Sequence, residues 1–449
     1  MKTNLIYTIT LLLLLSSCKE LVEDLNNDPN NFQNTSLNLI LGSAALNIAS
    51  IAESDIARYA TMFSDQFMGV DRQYGTVNGY SVTQASFDRH WESLFLMGAT
   101  QAQIAKQKAI NANATIEEGI SLILEGYYFA EAALLFGDIP FSQVNKLKEY
   151  PDPIYEPQKS VIEGAIELIK DGITKASDSP IKISALSSNS SWKNIGNALL
   201  ARYYLNIKEY DLANQAAKDA NFSSNKNDLV INHSTDNFGE NLFWQFEVEQ
   251  RGGYLKVAAP KTDTEPANFS YMLEMLDINH PNYKGNTKTT ENIRYNYYAD
   301  GEKLNTKPEG FAGKSASFPV ISFEEVQLII AETEILANSD NNNAINALNL
   351  VRANNVEKYA GSTYDPYVTA DFPDTDSLHL EILKEKFCSV IGLPTFHDVN
   401  RTKNKIGTTI KNNKQTTIPQ RFLYPATETS SNANAPAIIG LFIPTTINE

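Results

Sequence analysis

Apolar residues recur at helical spacing over most of the chain, and this pattern predicts a mainly helical protein. The predicted helical segments are Leu37 to about Phe67, about Phe87 to Ile110, Ile116 to Phe136, about Gln158 to Lys175, Trp192 to Ala220, Ser322 to about Ala337, Ala344 to about Glu357 and about Leu378 to Gly392. Gly137 and Pro140 form a stop signal after the third segment. The Ser322 hydroxyl can cap the sixth segment, and Glu325 three residues later completes a capping box.

The segment from Trp192 to Ala220 predicts two antiparallel helices. Small residues at Ala201, Ala213 and Ala220 would let the two helices approach closely, with the turn at 206–209. The spacing is typical of tetratricopeptide-like repeats, although a generic helical hairpin explains this one unit equally well. Because several predicted helix pairs follow one another, we expect a tetratricopeptide-like scaffold over residues 37–220 and 322–403.

Residues 221–321 have a different character. They are rich in Asn, Gly, Tyr and Pro and show no sustained helical period, so we expect loops with short strands. Asn241 to Phe246 predicts a strand, Asn292 to Tyr298 an exposed aromatic run, and Gly69 to Ala85 a long loop in the scaffold. The predicted fold class is therefore mainly α, with helix pairs forming the scaffold and an irregular, loop-rich region carrying the ligand site.

The first residues predict an export signal. Lys2 precedes an apolar run, Leu5 to Leu15, which is too short to span a bilayer and is followed by Ser16, Ser17 and Cys18. This arrangement resembles the bacterial lipobox, in which the Cys18 thiol is acylated; a simple secreted protein is the alternative. We expect a signal peptide at 1–17, a lipidated tether at 18–36 and one globular domain at 37–449.

Composition narrows the function classes. With 37 basic and 53 acidic residues the net charge is −16, and no run of Lys or Arg suits a nucleic acid. Cys388 is the only other cysteine, so no disulfide framework is expected once Cys18 is lipidated, and we interpret Cys388 as a buried apolar residue. We also expect no later membrane-spanning segment, which leaves the lipid anchor as the membrane contact.

Catalytic motifs are missing from the sequence. The histidines are scattered without metal-ligand spacing, and there is no nucleophile elbow, P-loop or dinucleotide fingerprint, so neither a metal nor a cofactor is expected. Two pairs of glutamates, Glu324 with Glu325 and Glu332 with Glu334, are explained by helix capping or a solvated face. A surface glycoside hydrolase is therefore an alternative of low weight, and we expect no enzyme.

Ligand binding is the class of function that these exclusions leave. Aromatic faces stack on sugar rings while amides and guanidinium groups bond hydroxyls, and the same set would hold a peptide. Two stretches have this composition, and their candidate ligand-binding residues are Arg72, Tyr74, Asn78, Tyr80, Trp244, Arg251 and Tyr254. Packing is the alternative role for each of them, and we assign Trp91 and Trp192 to packing.

Seven segments contain motifs that are informative together, and they are Asp24 to Asn30 after the lipobox, Gly126 to Pro140, Trp192 to Tyr204, Phe323 to Glu332, Lys384 to Phe387, Phe396 to Thr402 and Ile418 to Asn434. With these segments the chain resembles the SusD/RagB family of Bacteroidetes outer-membrane lipoproteins, in its SusD-like branch. Phe396 and His397 stand where the family usually has an aromatic residue, often Trp, and Asn400 replaces one of two arginines. The corner that contains them is interpreted as structural.

The resemblance implies a non-enzymatic, surface-exposed lipoprotein that captures glycan oligomers. It further implies a partner, a SusC-like TonB-dependent transporter over which the protein sits as a lid. The family's ligand residues follow no fixed motif, so none is transferred to this chain. RagB-like relatives take peptides, which keeps a peptide-capturing lipoprotein as an alternative, and a purely structural or adhesive helical scaffold is a third.

Overall fold

The computed structural model describes residues 35–259 and 268–449, so the predicted signal peptide and Cys18 lie outside the described residues. Helices α1 to α18 span Leu37–Leu46, Ile48–Ala52, Asp55–Phe63, Arg72–Asn78, Asp88–Leu94, Thr100–Asn111, Thr115–Phe136, Gln158–Ala176, Trp192–Asn206, Tyr210–Asp219, Leu242–Trp244, Tyr271–Leu276, Asn292–Tyr298, Phe323–Leu336, Asn341–Lys358, Thr375–Ser389, Leu393–Arg401 and Ala426–Ser431. Two π-helical segments, Phe95–Ala99 and Gln245–Gln250, continue α5 and α11. The predicted mainly helical class is confirmed.

Short antiparallel strands join the irregular region to the scaffold. Strands β1 to β9 span Met68–Gly69, Leu186–Ser187, Leu229–Ile231, Leu255–Lys256, Ala258–Ala259, Asn268–Phe269, Ala299–Asp300, Lys303–Leu304 and Phe318–Ile321. They form three sheets with the strand orders β1-β4-β8-β7, β2-β3-β9 and β5-β6. Since β9 leads directly into α14, the second sheet links residues 229–231 to the scaffold.

Helices α7 and α8 lie antiparallel at the centre of the scaffold. Gly119, near the start of α7, meets Ala176 at the end of α8, and a Cβ at Gly126 would lie 2.6 Å from the Ala165 carbonyl oxygen. Only glycine permits backbones to approach this closely, because any side chain would overlap the neighbouring helix. The close approach buries α7 along nearly its full length.

Two further helix pairs repeat the antiparallel arrangement. In the pair α9 and α10, the Asn197 amide near the start of α9 lies 3.4 Å from the Asp219 carbonyl oxygen at the end of α10. In the pair α14 and α15, Lys358 at the end of α15 reaches Glu324 at the start of α14, at 2.9 Å. The helix pairs predicted from the sequence are therefore present, with boundaries close to those expected.

Three local predictions are wrong. Asn241 to Phe246 forms helix rather than strand, because the Asn241 side chain accepts hydrogen bonds from the Phe243 and Trp244 backbone amides and caps α11. Residues 72–78 in the predicted long loop form α4. The predicted exposed run from Asn292 to Tyr298 is also helical, and Arg294 and Tyr298 within it are buried.

The paired glutamates are buried, contrary to the prediction of capping or a solvated face. Ser322 caps α14 as predicted, since its hydroxyl accepts from the Glu325 amide, but the Glu325 carboxylate binds the Arg202 guanidinium through two hydrogen bonds of 2.7 Å. Arg202 also donates to the Val320 carbonyl oxygen and lies 3.5 Å from Glu131. We call Arg202, Glu325 and Glu131 the Arg202 cluster; it connects α7, α9, α14 and β9.

A second buried charge cluster fixes α17 against α14. Arg401 donates to Glu332 and Asp398, both at 2.8 Å, and Lys386 lies 2.8 Å from the other Asp398 oxygen. Burial alone would raise the pKa of the Glu332 carboxyl, but Arg401 and His379 hold it far below its ordinary value. The 396–402 corner is thus a packing element, as interpreted from the sequence.

Two segments among the described residues are long and apolar enough to cross a membrane by length and composition, residues 37–63 and 115–136, whereas we expected none. The second is α7, which is buried from Gly119 to Phe136. A core helix passes the same test as a membrane span because both need an apolar surface on all sides.

Trp192 and Cys388 are buried, and Trp91 is nearly so, in agreement with their assigned packing roles.

Candidate ligand-binding surface

The two stretches with candidate binding residues meet in the structure. Strand β1 pairs with β4, and the Val70 amide donates to the Tyr254 carbonyl oxygen at 3.0 Å. The Tyr74 ring lies 4.8 Å from the Phe246 ring and 6.0 Å from the Tyr254 ring, measured between centroids. Residues 68–74 of the scaffold and 246–255 of the irregular region therefore lie side by side, although they are far apart in sequence.

Burial divides the seven candidates into two groups. Tyr74, Asn78, Tyr80 and Tyr254 are each less than a tenth exposed, whereas Arg72 and Arg251 are exposed and Trp244 is half-buried. The buried members have protein partners: Asn78 accepts from the Gly69 amide, and the Tyr80 hydroxyl accepts from the Lys411 amide. The area available to a ligand is thus supplied by Arg72, Arg251 and Trp244.

Tyr74 belongs to a buried hydrogen-bond network beneath this surface. Its hydroxyl donates to Asp55 and accepts from Arg58 Nε at 2.9 Å, and the Arg58 guanidinium lies 4.2 Å above the Phe246 ring. Burial opposes ionisation of Asp55, but Arg58 and the Tyr74 hydroxyl together hold the pKa of this carboxyl below its ordinary value. The network rigidly supports the π-helical segment that follows Trp244.

Trp244 is positioned by a fully buried cap. The Asn241 side chain accepts from the Trp244 amide at 3.1 Å and donates to the Ala316 carbonyl oxygen, also at 3.1 Å. The Lys314 ammonium lies 4.9 Å from the Trp244 ring centroid and 3.7 Å from the Glu240 carboxylate. π-helical turns recur at functional sites, and one begins directly after this tryptophan.

Phe238 is the most exposed large apolar side chain in the described residues, at 96% of its possible area. It stands in the turn before α11 with φ at 67°, a left-handed conformation that is unusual for an aromatic residue. Sequence reasoning missed it, although a lone aromatic side chain within the polar run from Ser234 to Glu240 was a usable signal. We call Phe238 and Trp244 the aromatic ledge.

A buried ion pair links the turn that contains Phe238 to the start of α11, the helix that contains Trp244. Glu53 binds His233 Nε2 at 2.9 Å and accepts from the Leu242 amide, while His233 Nδ1 lies 3.2 Å from the Gly239 carbonyl oxygen. Because both ring nitrogens face acceptors, the arrangement suits the imidazolium form. Burial opposes the charge of His233, but Glu53 raises its pKa above the ordinary value; burial also raises the pKa of Glu53.

Cavities elsewhere differ in size and chemistry. The void beside the Arg202 cluster has a volume of about 30 Å³, enough for a water molecule but not a sugar ring. A groove of about 600 Å³ lies at the π-helical turn after α5, away from the aromatic ledge. Among the described residues, no group of three or more His, Cys, Asp or Glu side chains could hold a metal ion.

Comparisons with known proteins give one consistent result. The SusD-like family model described as "Starch-binding associating with outer membrane" matches residues 29–425. A search of curated proteins found no match.

Similar solved structures share the fold at low sequence identity. A SusD/RagB family protein from Bacteroides thetaiotaomicron has a TM-score of 0.66 and 17% identity, covering 89% of this chain and 95% of its own. A SusD homologue from Bacteroides fragilis has a TM-score of 0.65 and 16% identity, with 92% and 100% covered. A chitin-binding SusD homologue from Flavobacterium johnsoniae has a TM-score of 0.64 and 12% identity, with 92% and 99% covered.

Proposed function

This chain belongs to the SusD-like family, whose description is starch binding in association with the outer membrane, and on that premise we propose that it captures glycan oligomers at the cell surface. The observation that carries the proposal is the aromatic ledge. Phe238 and Trp244 offer apolar faces to solvent, as stacking on the C–H faces of sugar rings requires. A chitin-binding protein among the similar structures supports a polysaccharide ligand.

Two exposed guanidinium groups on the candidate stretches suit hydroxyl-rich ligands. Arg72 and Arg251 are exposed, and neither forms an ion pair with a described residue. Lys314, which lies against Trp244, is paired with Glu240, so it can keep the Trp244 ring in place while the other face of the ring contacts a sugar. In this proposal Tyr74, Asn78, Tyr80 and Tyr254 support the surface from below.

We also propose that the protein acts without catalysis, is anchored through the Cys18 lipid on the outer face of the outer membrane, and passes its ligand to a SusC-like TonB-dependent transporter. A glycosidase needs two carboxylates lining a cleft that admits a sugar. The buried glutamates of α14 are instead held by ion pairs, and the void beside Glu131 and Glu325 is too small for a sugar. Co-purification of a transporter with the lipidated protein from outer membranes tests the pairing.

Binding of the non-lipidated Cys18→Ser protein to arrays of polysaccharides and oligopeptides tests glycan capture. We expect a glycan to bind without turnover, and Trp244→Ala and Phe238→Ala each to weaken binding about tenfold, since aromatic anchors dominate such contacts. The control is Leu212→Ala, which removes an apolar side chain that is 48% exposed on α10. Glycan turnover would overthrow the non-catalytic role, and binding of peptides alone would favour the peptide-capturing alternative.

A further inference from the structure

Two grooves adjoin on the helical scaffold, away from the aromatic ledge. One, of about 600 Å³, lies between the π-helical turn after α5 and the 140–153 connector, and we call it the apolar groove. The other, of about 500 Å³, lies between α6 and the same connector, and we call it the lysine groove. Val144 and Asn145 line both grooves, so the two grooves adjoin at these residues.

Large apolar side chains line the apolar groove, and two of them are mostly exposed to water. Trp91 and Phe95 stack at its floor with ring centroids 4.2 Å apart. Leu96 and Leu147 stand at its sides and are 53% and 66% exposed. Prolines at 140, 151 and 153 stiffen the connector that forms one wall. A groove with this lining retains an apolar occupant.

The lysine groove carries positive charge that no described carboxylate neutralises. Lys106 is paired with the buried Glu125 carboxylate at 2.6 Å, but Lys108 has no carboxylate partner in the described residues. Lys146 donates only to the Ser142 carbonyl oxygen, at 2.8 Å. In a chain with a net charge of −16, two unpaired ammonium groups facing one groove favour an anionic occupant.

The apolar groove carries more negative than positive charge, because Asp88, Glu92 and Glu428 line it and Arg89 is the one cation among its lining residues. Glu428 accepts from Tyr155 at 2.9 Å and from Asn432 at 2.8 Å, and Glu92 is exposed. These acidic groups repel an anion, so a negatively charged head belongs at the lysine end. The lining of the apolar groove is therefore acidic on balance, whereas the unpaired ammonium groups make the lysine groove basic.

We propose that the joined grooves bind an anionic amphiphile, with its alkyl chain in the apolar groove and its phosphate or carboxylate head beside Lys108 and Lys146. This site does not depend on the aromatic ledge or on glycan capture. The ligand chemistry is shared by a lipid of the membrane surface and by a free single-chain amphiphile. Both combine an acyl chain with an anionic head.

The test compares two monomeric lysolipids that have the same acyl chain, lysophosphatidylglycerol and lysophosphatidylcholine, below their micelle concentrations. The protein is Cys18→Ser with Trp244→Phe, in which Trp91 at the groove floor and buried Trp192 are the remaining tryptophans. We expect the anionic lysolipid to bind at least about tenfold more tightly and to change the Trp91 fluorescence.

Two double variants separate the head site from the chain site. Lys108→Glu with Lys146→Glu removes the preference for the anionic head, whereas Leu96→Ser with Leu147→Ser weakens both lysolipids at least about tenfold. The matched control is Ile116→Ser with Lys182→Glu, in a separate groove of about 560 Å³. Absence of lysolipid binding, no preference between the heads, or an equal effect of the control variant would overturn the proposal.

Vesicle flotation distinguishes the two sources of the ligand. Binding to phosphatidylglycerol vesicles as well as to the monomer identifies a membrane lipid, and binding to the monomer alone identifies a free amphiphile. Thermal unfolding of each variant is measured alongside its binding, to check that the variant is folded. Because Leu96 and Leu147 are mostly exposed, we expect the serine variants to remain folded.

Discussion

Replacing Arg202 by methionine tests whether buried charge pairing holds the scaffold to the irregular region. The guanidinium makes two hydrogen bonds of 2.7 Å to Glu325, one of 2.7 Å to the Val320 carbonyl oxygen, and lies 3.5 Å from Glu131. The side chains of the three ionised residues are at most 4% exposed. Methionine fills similar space but leaves two carboxylates inside the protein without their main cation.

The expected loss follows from the uncompensated charge. Removing one member of a buried ion pair costs about 3–5 kcal/mol in free energy of unfolding, because the remaining charge stays desolvated. Burial opposes ionisation of Glu131, and His397 with Arg202 lowers the pKa of this carboxyl below its ordinary value, so part of the compensation survives at Glu131. We therefore expect Arg202→Met to lower the free energy of unfolding by about 3–5 kcal/mol and not by more.

Urea unfolding followed by circular dichroism measures this loss. The control is Lys170→Met, whose partner Glu167 is 2.8 Å away but whose side chain is 48% exposed. A solvent-exposed pair contributes about 0–1 kcal/mol. The double variant Arg202→Met with Glu325→Met should recover part of the loss, since it removes one buried charge. If Arg202→Met costs no more than Lys170→Met, the reasoning is refuted.

Three further predictions concern the support of the ligand surface and the scaffold. Tyr74→Phe should lower the free energy of unfolding by about 1–3 kcal/mol, because a buried hydrogen-bond network loses a hydroxyl group. Calorimetry should show the same glycan affinity as in the parent protein. A loss of affinity at unchanged stability would contradict the supporting role of Tyr74. The pKa of His233 is raised, so its stabilising contribution is complete below about pH 6.5 and is lost as the pH rises through the raised value. We therefore expect Tm to fall between pH 6 and 9 in the parent protein and to fall less steeply in His233→Gln. Equal slopes of Tm against pH in the two proteins would be inconsistent with the Glu53 pairing. Gly126→Ala should cost about 1–3 kcal/mol in urea unfolding, since its Cβ would lie 2.6 Å from the Ala165 carbonyl oxygen, and a neutral result would argue against the close approach of α7 and α8.

The helices were predictable because helix formation depends on local spacing. The predicted segment from Ile116 to Phe136 corresponds to α7, Thr115–Phe136, and Ser322 caps α14 as expected. Local signals can also mislead. The aromatic-rich run from Asn241 to Phe246 favours a strand by composition, but the Asn241 side chain caps a helical turn there because its amide is also held by buried carbonyl groups.

The site could be predicted only as a region. Composition pointed to residues 72–80 and 244–254, and the structure brings these stretches together through β1 and β4. Which side chains face water depended on packing partners elsewhere in the chain. Tyr74 is covered by Phe246, whereas Phe238 is left exposed by a left-handed turn.

The sequence by itself determined the helical periodicity, the order of the helices and the motifs that resemble one family, since each of these is written in residues close together along the chain. Only the tertiary structure decided which carboxylates are buried and which aromatic side chains are exposed. Arg202 and Glu325 are 123 positions apart, and nothing near either residue indicates the pairing. Burial and charge compensation are properties of contacts between distant segments, so they exist only once the chain has folded.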